Sequence, residues 1–153
     1  MTGWRAGFAL GSKQVIAAMS KLQSQSTSNT ASMVQRASIA AVTASQECVA
    51  EMRADYITLR DRVLAGLKTI PGMTCTVPEG AFYVYPNVSA FVGRGGVTSA
   101  SDLAAKLLSE AHVVTVPGEA FGTAEHLRLS YAVSADVIDK GVQRIREYLA
   151  KLG

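Results

Sequence analysis

The sequence changes character at about residue 45, and this change limits what the chain can fold into. Residues 1–44 contain one segment with strand character, GWRAGFAL at 3–10, and two segments with helical character. A single strand leaves its backbone N–H and C=O groups without partners. We therefore predict that residues 1–44 complete a larger sheet, whose other strands lie outside this sequence.

Two helices are predicted within this first part. Apolar side chains recur at helical spacing over residues 13–23, and Ser12 is suited to cap that helix. Residues 30–44 predict a second helix that is rich in small side chains. The polar stretch between them, QSQSTSNTAS at 23–32, is typical of a loop.

Residues 45–153 alternate between helical and strand patterns and predict a separate α+β domain. Helices are predicted at 46–69, at 101–111 with Ser101 as cap, and after a Ser134 cap at the C-terminus. Strands are predicted at 73–77, 81–86, 112–116 and 126–132, and the first two are expected to pair as a hairpin. The whole chain is therefore predicted to be α/β, with residues 1–44 and 45–153 as two parts.

Composition argues against several classes of function. Hydrophobic residues make up 48% of the 153 positions and charged residues 18%, which suits a packed core. The net charge of +3 comes from scattered basic residues, so we expect no nucleic-acid partner, and no apolar run is long enough to predict a membrane span. Cys48 and Cys75 lack histidines at ligand spacing, so we expect no metal site. Two cysteines also favour a reducing compartment, the cytoplasm.

Arg5 is a candidate anion-binding residue. In a strand, positions 3, 5 and 7 share a face, so Gly3 and Gly7 would clear space beside the Arg5 guanidinium. An anion lying there could accept two parallel hydrogen bonds. The alternative is an arginine at a sheet end that points to water.

Arg128 interrupts the apolar strand HLRLSYA at 126–132. Burying a charge in such a strand costs free energy unless the charge is paired or remains in contact with water. One hypothesis is that Glu119 or Glu125 pairs with Arg128. The other is that its partner is the carboxylate of a ligand, and the pattern alone favours neither.

Two glycine-containing turns carry aromatic residues near these strands. The segments are PEGAFY at 78–83 and PGEAFG at 117–122. Phe121 either walls a pocket or fills the edge of a core, and the first segment is equally well explained as a hairpin turn.

Together these segments resemble the class I aminotransferases of fold type I, the aspartate aminotransferase-like family that depends on pyridoxal 5′-phosphate (PLP). MTGWRAGF at 1–8 is similar to the segment that follows the family's PLP lysine. PEGAFYVYP at 78–86 resembles the family's Pro-x-Gly-Ala-Phe-Tyr strand. VTVPGEAFG at 114–122, followed by HLRLSYA, resembles the Pro-Gly-x-x-Phe-Gly segment and its carboxylate-binding strand. The resemblance extends over the whole chain but only over the C-terminal part of a family member.

The resemblance implies roles for both arginines. Arg5 corresponds to the arginine that binds the PLP phosphate, and Arg128 to the arginine that binds the substrate α-carboxylate. The parent protein would then transfer an amino group between an amino acid, aspartate or similar, and a 2-oxo acid. It would be a homodimer, with residues 26–29 near the subunit interface.

The resemblance also implies that catalytic residues lie elsewhere. The Schiff-base lysine would lie upstream of Met1, and the acid and the aromatic residue that contact the PLP ring are missing from this sequence too. We therefore expect no catalytic residue in this chain, no PLP binding by the chain alone and no activity alone. We also expect the chain to self-associate through apolar surface on residues 1–44.

Two other functions share these features. One is a related fold type I PLP enzyme, such as a carbon–sulfur lyase or a cyclopropane-forming synthase. The other is the non-catalytic sensor domain of a PLP-fold transcription regulator.

Overall fold

The computed structural model describes residues 2–153, so Met1, the first residue of the MTGWRAGF motif, lies outside the described residues. The chain divides into two units, Met1–Cys48 and Val49–Gly153. Helices and strands occur together in the chain, which confirms the predicted α/β class.

The first unit consists of a short 3₁₀ turn and two helices. The turn spans Thr2–Trp4, helix α1 spans Lys13–Ser26 and helix α2 spans Ser32–Thr43. Ser12 caps α1 as predicted, because its side chain accepts a hydrogen bond from the Val15 backbone N–H. The predicted loop at 23–32 is shorter than expected. Ser24 and Ser26 continue the helix by donating their hydroxyls to carbonyls one turn earlier.

The strand predicted at residues 3–10 is not formed. After the 3₁₀ turn the backbone is irregular up to Ser12, and Arg5 has a left-handed φ of 53°. A strand needs a neighbour to pair its backbone groups, and the described residues of the first unit contain none. The predicted shared face of Gly3, Arg5 and Gly7 is therefore wrong for this chain, and a Cβ at either glycine would meet nothing within 4 Å.

The first unit has no core among its described residues. No side chain in residues 3–48 is buried. Large apolar side chains are open to solvent instead, with Leu10 98% exposed, Phe8 79% and Met33 71%. Helices α1 and α2 are therefore stabilised by local hydrogen bonds, with the Ser12 cap in α1, rather than by burial.

The second unit contains a three-stranded antiparallel sheet and three helices. Helix α3, Glu47–Leu67, begins at the end of the first unit, and it is followed by β1 (Tyr83–Val84), α4 (Ala100–Ala111), β2 (Val116–Pro117), β3 (Leu127–Ser130) and α5 (Ala135–Ala150). The strand order is β1-β3-β2, so β3 is central. Tyr83 lies opposite Ser130, and Val116 lies opposite Arg128.

The predicted hairpin between residues 73–77 and 81–86 is wrong. Residues 73–77 contribute a single bridge, Thr74 to Asn87, and β1 pairs with β3 instead. The end of β3 reaches back over the turn, because Tyr131 donates its backbone N–H to the Phe82 carbonyl and its hydroxyl to the Ala81 carbonyl. β1 therefore takes its ladder partner from a segment more than 40 residues away along the chain.

Two smaller predictions also need correction. The cap of α4 is Ser99 rather than Ser101, because the Ser99 hydroxyl accepts a hydrogen bond from the Asp102 N–H. The strand predicted at 112–116 is shorter and begins at Val116, because His112 ends α4 with a left-handed φ of 55°. By contrast, residues 127–130 and 135–150 form a strand and a helix as predicted, with Ser134 at the N-cap of α5.

Helices α3, α4 and α5 and the sheet supply the core of the second unit. Its largest fully buried side chains are Leu67, Leu103, Leu107, Leu127, Val84, Val88, Val97 and Pro86. Helix α4 buries one face and leaves the opposite face open, so Leu107 is 0% exposed whereas its neighbour Leu108 is 53% exposed.

The turn between β2 and β3 is closely packed around Gly118. A 3₁₀ turn spans Gly118–Phe121, and the backbone N–H of Gly118 donates to the His126 carbonyl at 2.8 Å. A Cβ at position 118 would lie 2.3 Å from the Thr123 carbonyl oxygen and 2.7 Å from that of His126. Backbone atoms cannot yield easily, so this turn requires glycine at its first position.

Removing a core side chain from α4 should destabilise the second unit. We expect Leu107→Ala to lower the free energy of unfolding by about 2–5 kcal/mol, because it leaves a cavity in a closed core. Leu108→Ala, the matched control one residue away, should change it by no more than about 0.5 kcal/mol. Urea unfolding followed by circular dichroism measures both, and equal effects of the two variants would contradict this core.

A methyl group at Gly118 should disturb the turn before β3. We expect Gly118→Ala to cost about 1–3 kcal/mol of stability, because its Cβ overlaps two carbonyl oxygens. Gly80→Ala is the control, since a Cβ there meets nothing within 4 Å. Urea titration compares the variants, and a Gly118→Ala protein as stable as Gly80→Ala would show that the turn is not packed as described.

Candidate functional site

The candidate site is centred on the Arg128 guanidinium in the central strand β3. Its Cζ atom lies 4.5 Å from the ring centroid of Tyr83 and 4.5 Å from that of Phe121. Three sequence segments thus meet here, namely 78–86, 114–122 and 126–132. We call Arg128, Tyr83 and Phe121 the arginine–aromatic cluster.

Strand pairing explains why Tyr83 meets Arg128. Tyr83 of β1 is opposite Ser130, which lies two residues after Arg128 in β3. Residues two apart in a strand share a face, and diagonal neighbours on adjacent strands are within reach of aromatic and long side chains. Phe121 arrives from the other edge, in the turn that follows β2.

No acidic side chain of the described chain pairs with Arg128. The hypothesis that Glu119 or Glu125 satisfies this charge is not met, since neither forms an ion pair with it within residues 2–153. Glu125 instead faces the Asn87 amide at 3.5 Å. Among the described residues, the partly buried guanidinium contacts rings but donates to no protein acceptor, so its N–H groups remain for solvent or an anion.

A second layer of contacts holds Phe121 in place. The Tyr85 ring meets the Phe121 ring edge-on, with 6.2 Å between centroids, and stacks on His126 at 4.8 Å. The Tyr85 hydroxyl donates to the Gly118 carbonyl at 3.3 Å and forms a short hydrogen bond with the Thr123 hydroxyl. Tyr85, the residue after β1, therefore bonds to residues before and after Phe121 in the segment that connects β2 and β3.

The residue before Phe82 and Tyr83 is held in an uncommon conformation. Ala81 has a left-handed φ of 59°, which is costly for a residue with a Cβ. Its carbonyl accepts a 3.0 Å hydrogen bond from the hydroxyl of buried Tyr131. Burial raises the pKa of the Tyr131 hydroxyl above its ordinary value.

Some members of this site are evident from the sequence and others are not. Arg128 and Phe121 are candidate site residues by sequence pattern, whereas segment 78–83 is equally well explained as a turn. The sequence did not indicate that Tyr83 contacts Arg128, that Tyr85 contacts Phe121 or that Tyr131 bonds to Ala81. The alternation of Tyr83 and Tyr85 in the sequence indicates two aromatic side chains on one face of a strand. The pairing of β1 with β3 is needed to show that this face lies next to Arg128.

Arg5 belongs to the first unit and is exposed. Its guanidinium chemistry suits a phosphate dianion, because a planar group with five N–H donors can make parallel hydrogen bonds to two oxygens. A phosphate-binding role for Arg5 therefore stays a prediction. Within residues 2–153, no three His, Cys, Asp or Glu side chains are grouped so as to bind a metal ion.

The helices give no sign of a membrane segment. Across the described range, none is both long enough and apolar enough to cross a bilayer. Both cysteines are free thiols, with Cys48 exposed and Cys75 partly buried, and burial raises the pKa of the Cys75 thiol.

Similar sequences of known proteins belong to the family that the segments 1–8, 78–86 and 114–132 resemble. The family described as aminotransferase class I and II matches residues 1–145. Aspartate aminotransferase of Geobacillus stearothermophilus is 43% identical over 149 residues, covering 97% of this chain and 38% of that protein. Aspartate aminotransferase of Streptomyces avermitilis is 46% identical over 155 residues, covering 99% of this chain and 38% of that protein.

A solved structure gives the same result in three dimensions. The aspartate aminotransferase from Rhizobium meliloti superposes with a TM-score of 0.90 at 38% identity, covering 100% of this chain and 40% of that one. The chain therefore spans about two fifths of the length of the relatives it matches. From the family match, the identities and the shared fold, we conclude that the chain belongs to the class I and II aminotransferases.

Proposed function

We propose that this chain carries the substrate-carboxylate site of a PLP-dependent aminotransferase. The reaction is amino transfer between an amino acid, aspartate or a similar one, and a 2-oxo acid. The observation that supports it is the Arg128 guanidinium, held against two rings and without a protein acceptor in the described chain. Family membership supplies the reaction class.

Arg128 acts by binding and orienting the substrate. A carboxylate can accept two parallel N–H bonds from a guanidinium, which fixes both its position and its rotation. An amino acid anchored in this way presents its amino group and Cα in a single orientation. Holding the reacting atoms in place accounts for a large part of enzymatic rate enhancement.

Arg5 is proposed to bind the phosphate of PLP in the parent protein. When bound, PLP serves as the electron sink for chemistry at the substrate Cα. The proton transfers at Cα need a base, and in our proposal this is the Schiff-base lysine, which lies upstream of Met1. The 153-residue chain alone is therefore expected to be inactive and not to retain PLP.

The two parts of the chain are proposed to belong to two domains of a longer protein. Residues 1–44 would be the C-terminal remnant of the PLP-binding large domain, and residues 45–153 the aminotransferase small domain. The coreless helices of the first unit and the core of the second support this division. The parent would be a cytoplasmic homodimer, with residues 26–29 near the subunit interface.

The role of Arg128 can be tested in the longer polypeptide encoded together with the upstream sequence. We expect Arg128→Gln to raise KM for aspartate on the order of 100-fold in an assay with 2-oxoglutarate, because a charge-assisted bidentate contact is lost. Arg146→Gln changes an exposed arginine on α5 and is the matched control. An unchanged KM for aspartate in Arg128→Gln would contradict the proposed binding of the substrate carboxylate by Arg128.

The same assay applied to the 153-residue chain gives a second control. With PLP added, the chain should show neither transamination nor retained cofactor absorbance after gel filtration. Retained absorbance would contradict the proposed upstream lysine.

Self-association of the isolated chain is expected from the first unit. Phe8 and Leu10 expose most of their surface, and such apolar patches favour association. We expect the sedimentation coefficient to rise with protein concentration and Leu10→Ser to reduce that rise. Leu108→Ser, an exposed leucine of the second unit, is the control and should have a smaller effect. A concentration-independent monomer would contradict the prediction.

A further inference from the structure

We propose that Tyr83 and Phe121 are positioning residues that orient the Arg128 guanidinium, and that Tyr85 acts through Phe121. The rings would hold the guanidinium so that its N–H edge faces a carboxylate. The carboxylate part of this inference rests on the proposed function, whereas the orientation of Arg128 by the rings does not.

Ring contacts suit this task because they leave the hydrogen-bond donors unused. A guanidinium is attracted to the face of an aromatic ring by the ring quadrupole. An acidic neighbour would orient Arg128 too, but it would occupy the N–H groups that a substrate needs. Within residues 2–153, Arg128 contacts two aromatic rings and has no acidic partner.

The two rings are held independently of Arg128. Tyr83 is fixed by the pairing of β1 with β3 and by the Tyr131 hydroxyl bond to Ala81 just before it. Phe121 is 48% exposed, so burial alone does not hold it. Its position depends on the Tyr85 ring edge and on the Tyr85 hydroxyl, which bonds to the turn that carries Phe121.

Charge alone does not require these rings. An arginine that served only as a cation could remain mobile at the end of its flexible side chain. The contacts of Cζ with two ring faces, 4.5 Å from each centroid, instead restrict the plane of the group. Bidentate recognition depends on that plane, which is why orientation affects affinity.

The test uses arginine side-chain NMR on the 153-residue chain, with acetate as the probe. In the unsubstituted chain, ring currents should shift the Arg128 Nε–H signal upfield, and Arg128→Lys identifies that signal. Phe121→Leu and Tyr83→Leu should each move it toward the values of exposed arginines. Each should also weaken acetate binding on the order of fivefold, the equivalent of one lost cation–π contact.

Conservative variants separate positioning from folding. Phe121→Tyr and Tyr83→Phe keep a ring and should retain both the upfield shift and the acetate affinity. Tyr85→Phe keeps its ring but loses the hydroxyl bonds, and should give a partial loss of shift. The methyl signals of Leu107 and Val84 report whether the core is intact. If the leucine variants unfold, the Arg128 signal of Tyr85→Phe is the measurement that tests the inference.

The outcomes are distinct. An unchanged Arg128 signal in folded Phe121→Leu and Tyr83→Leu, or in Tyr85→Phe if the leucine variants unfold, overturns the inference. Shifts as expected, but with no acetate response even in the unsubstituted chain, support orientation by the rings and contradict the proposed carboxylate site. Weaker acetate binding without any change in the Arg128 signal also overturns the inference, because the rings would then act by another route.

Discussion

The charged side chain of Arg128 in the central strand β3 is the constraint that shapes the candidate site of the second unit. Transferring a guanidinium charge such as that of Arg128 from water into a protein is costly unless the charge gains partners. Here the partners are the faces of Tyr83 and Phe121. Such contacts compensate part of the cost and leave the polar edge of the guanidinium to solvent or a ligand.

Distant parts of the sequence must fold together to provide this environment. Tyr83 comes from β1, Arg128 from β3 and Phe121 from the turn after β2, so the cluster exists only when all three strands are paired. Gly118 lies close to the backbone carbonyls of Thr123 and His126, which precede β3, and its own carbonyl accepts a hydrogen bond from the Tyr85 hydroxyl. Side chains of α3, α4 and α5 share one hydrophobic core with Val84 of β1 and Leu127 of β3.

The first unit contains the structure that local interactions can form without a core. Helices α1 and α2 form, because the hydrogen bonds within a helix join residues close in sequence. Residues 3–10 do not form a strand, because a strand depends on neighbours. The relatives and solved structures extend well beyond the matched region, since this chain covers 38–40% of the three compared in detail.

The sequence by itself determined the helices, the α/β class, the family resemblance, and Arg128 and Phe121 as residues of interest. Helical periodicity, caps such as Ser12 and short motifs are local signals that can be read directly along the chain. Only the tertiary structure decided that β1 pairs with β3 rather than with residues 73–77, and that Ala81 has a left-handed backbone. It also decided that Tyr83 contacts Arg128 and that Tyr85 contacts Phe121. Strand partners and side-chain neighbours far apart in sequence depend on competition among long-range contacts, and no local pattern records the outcome of that competition.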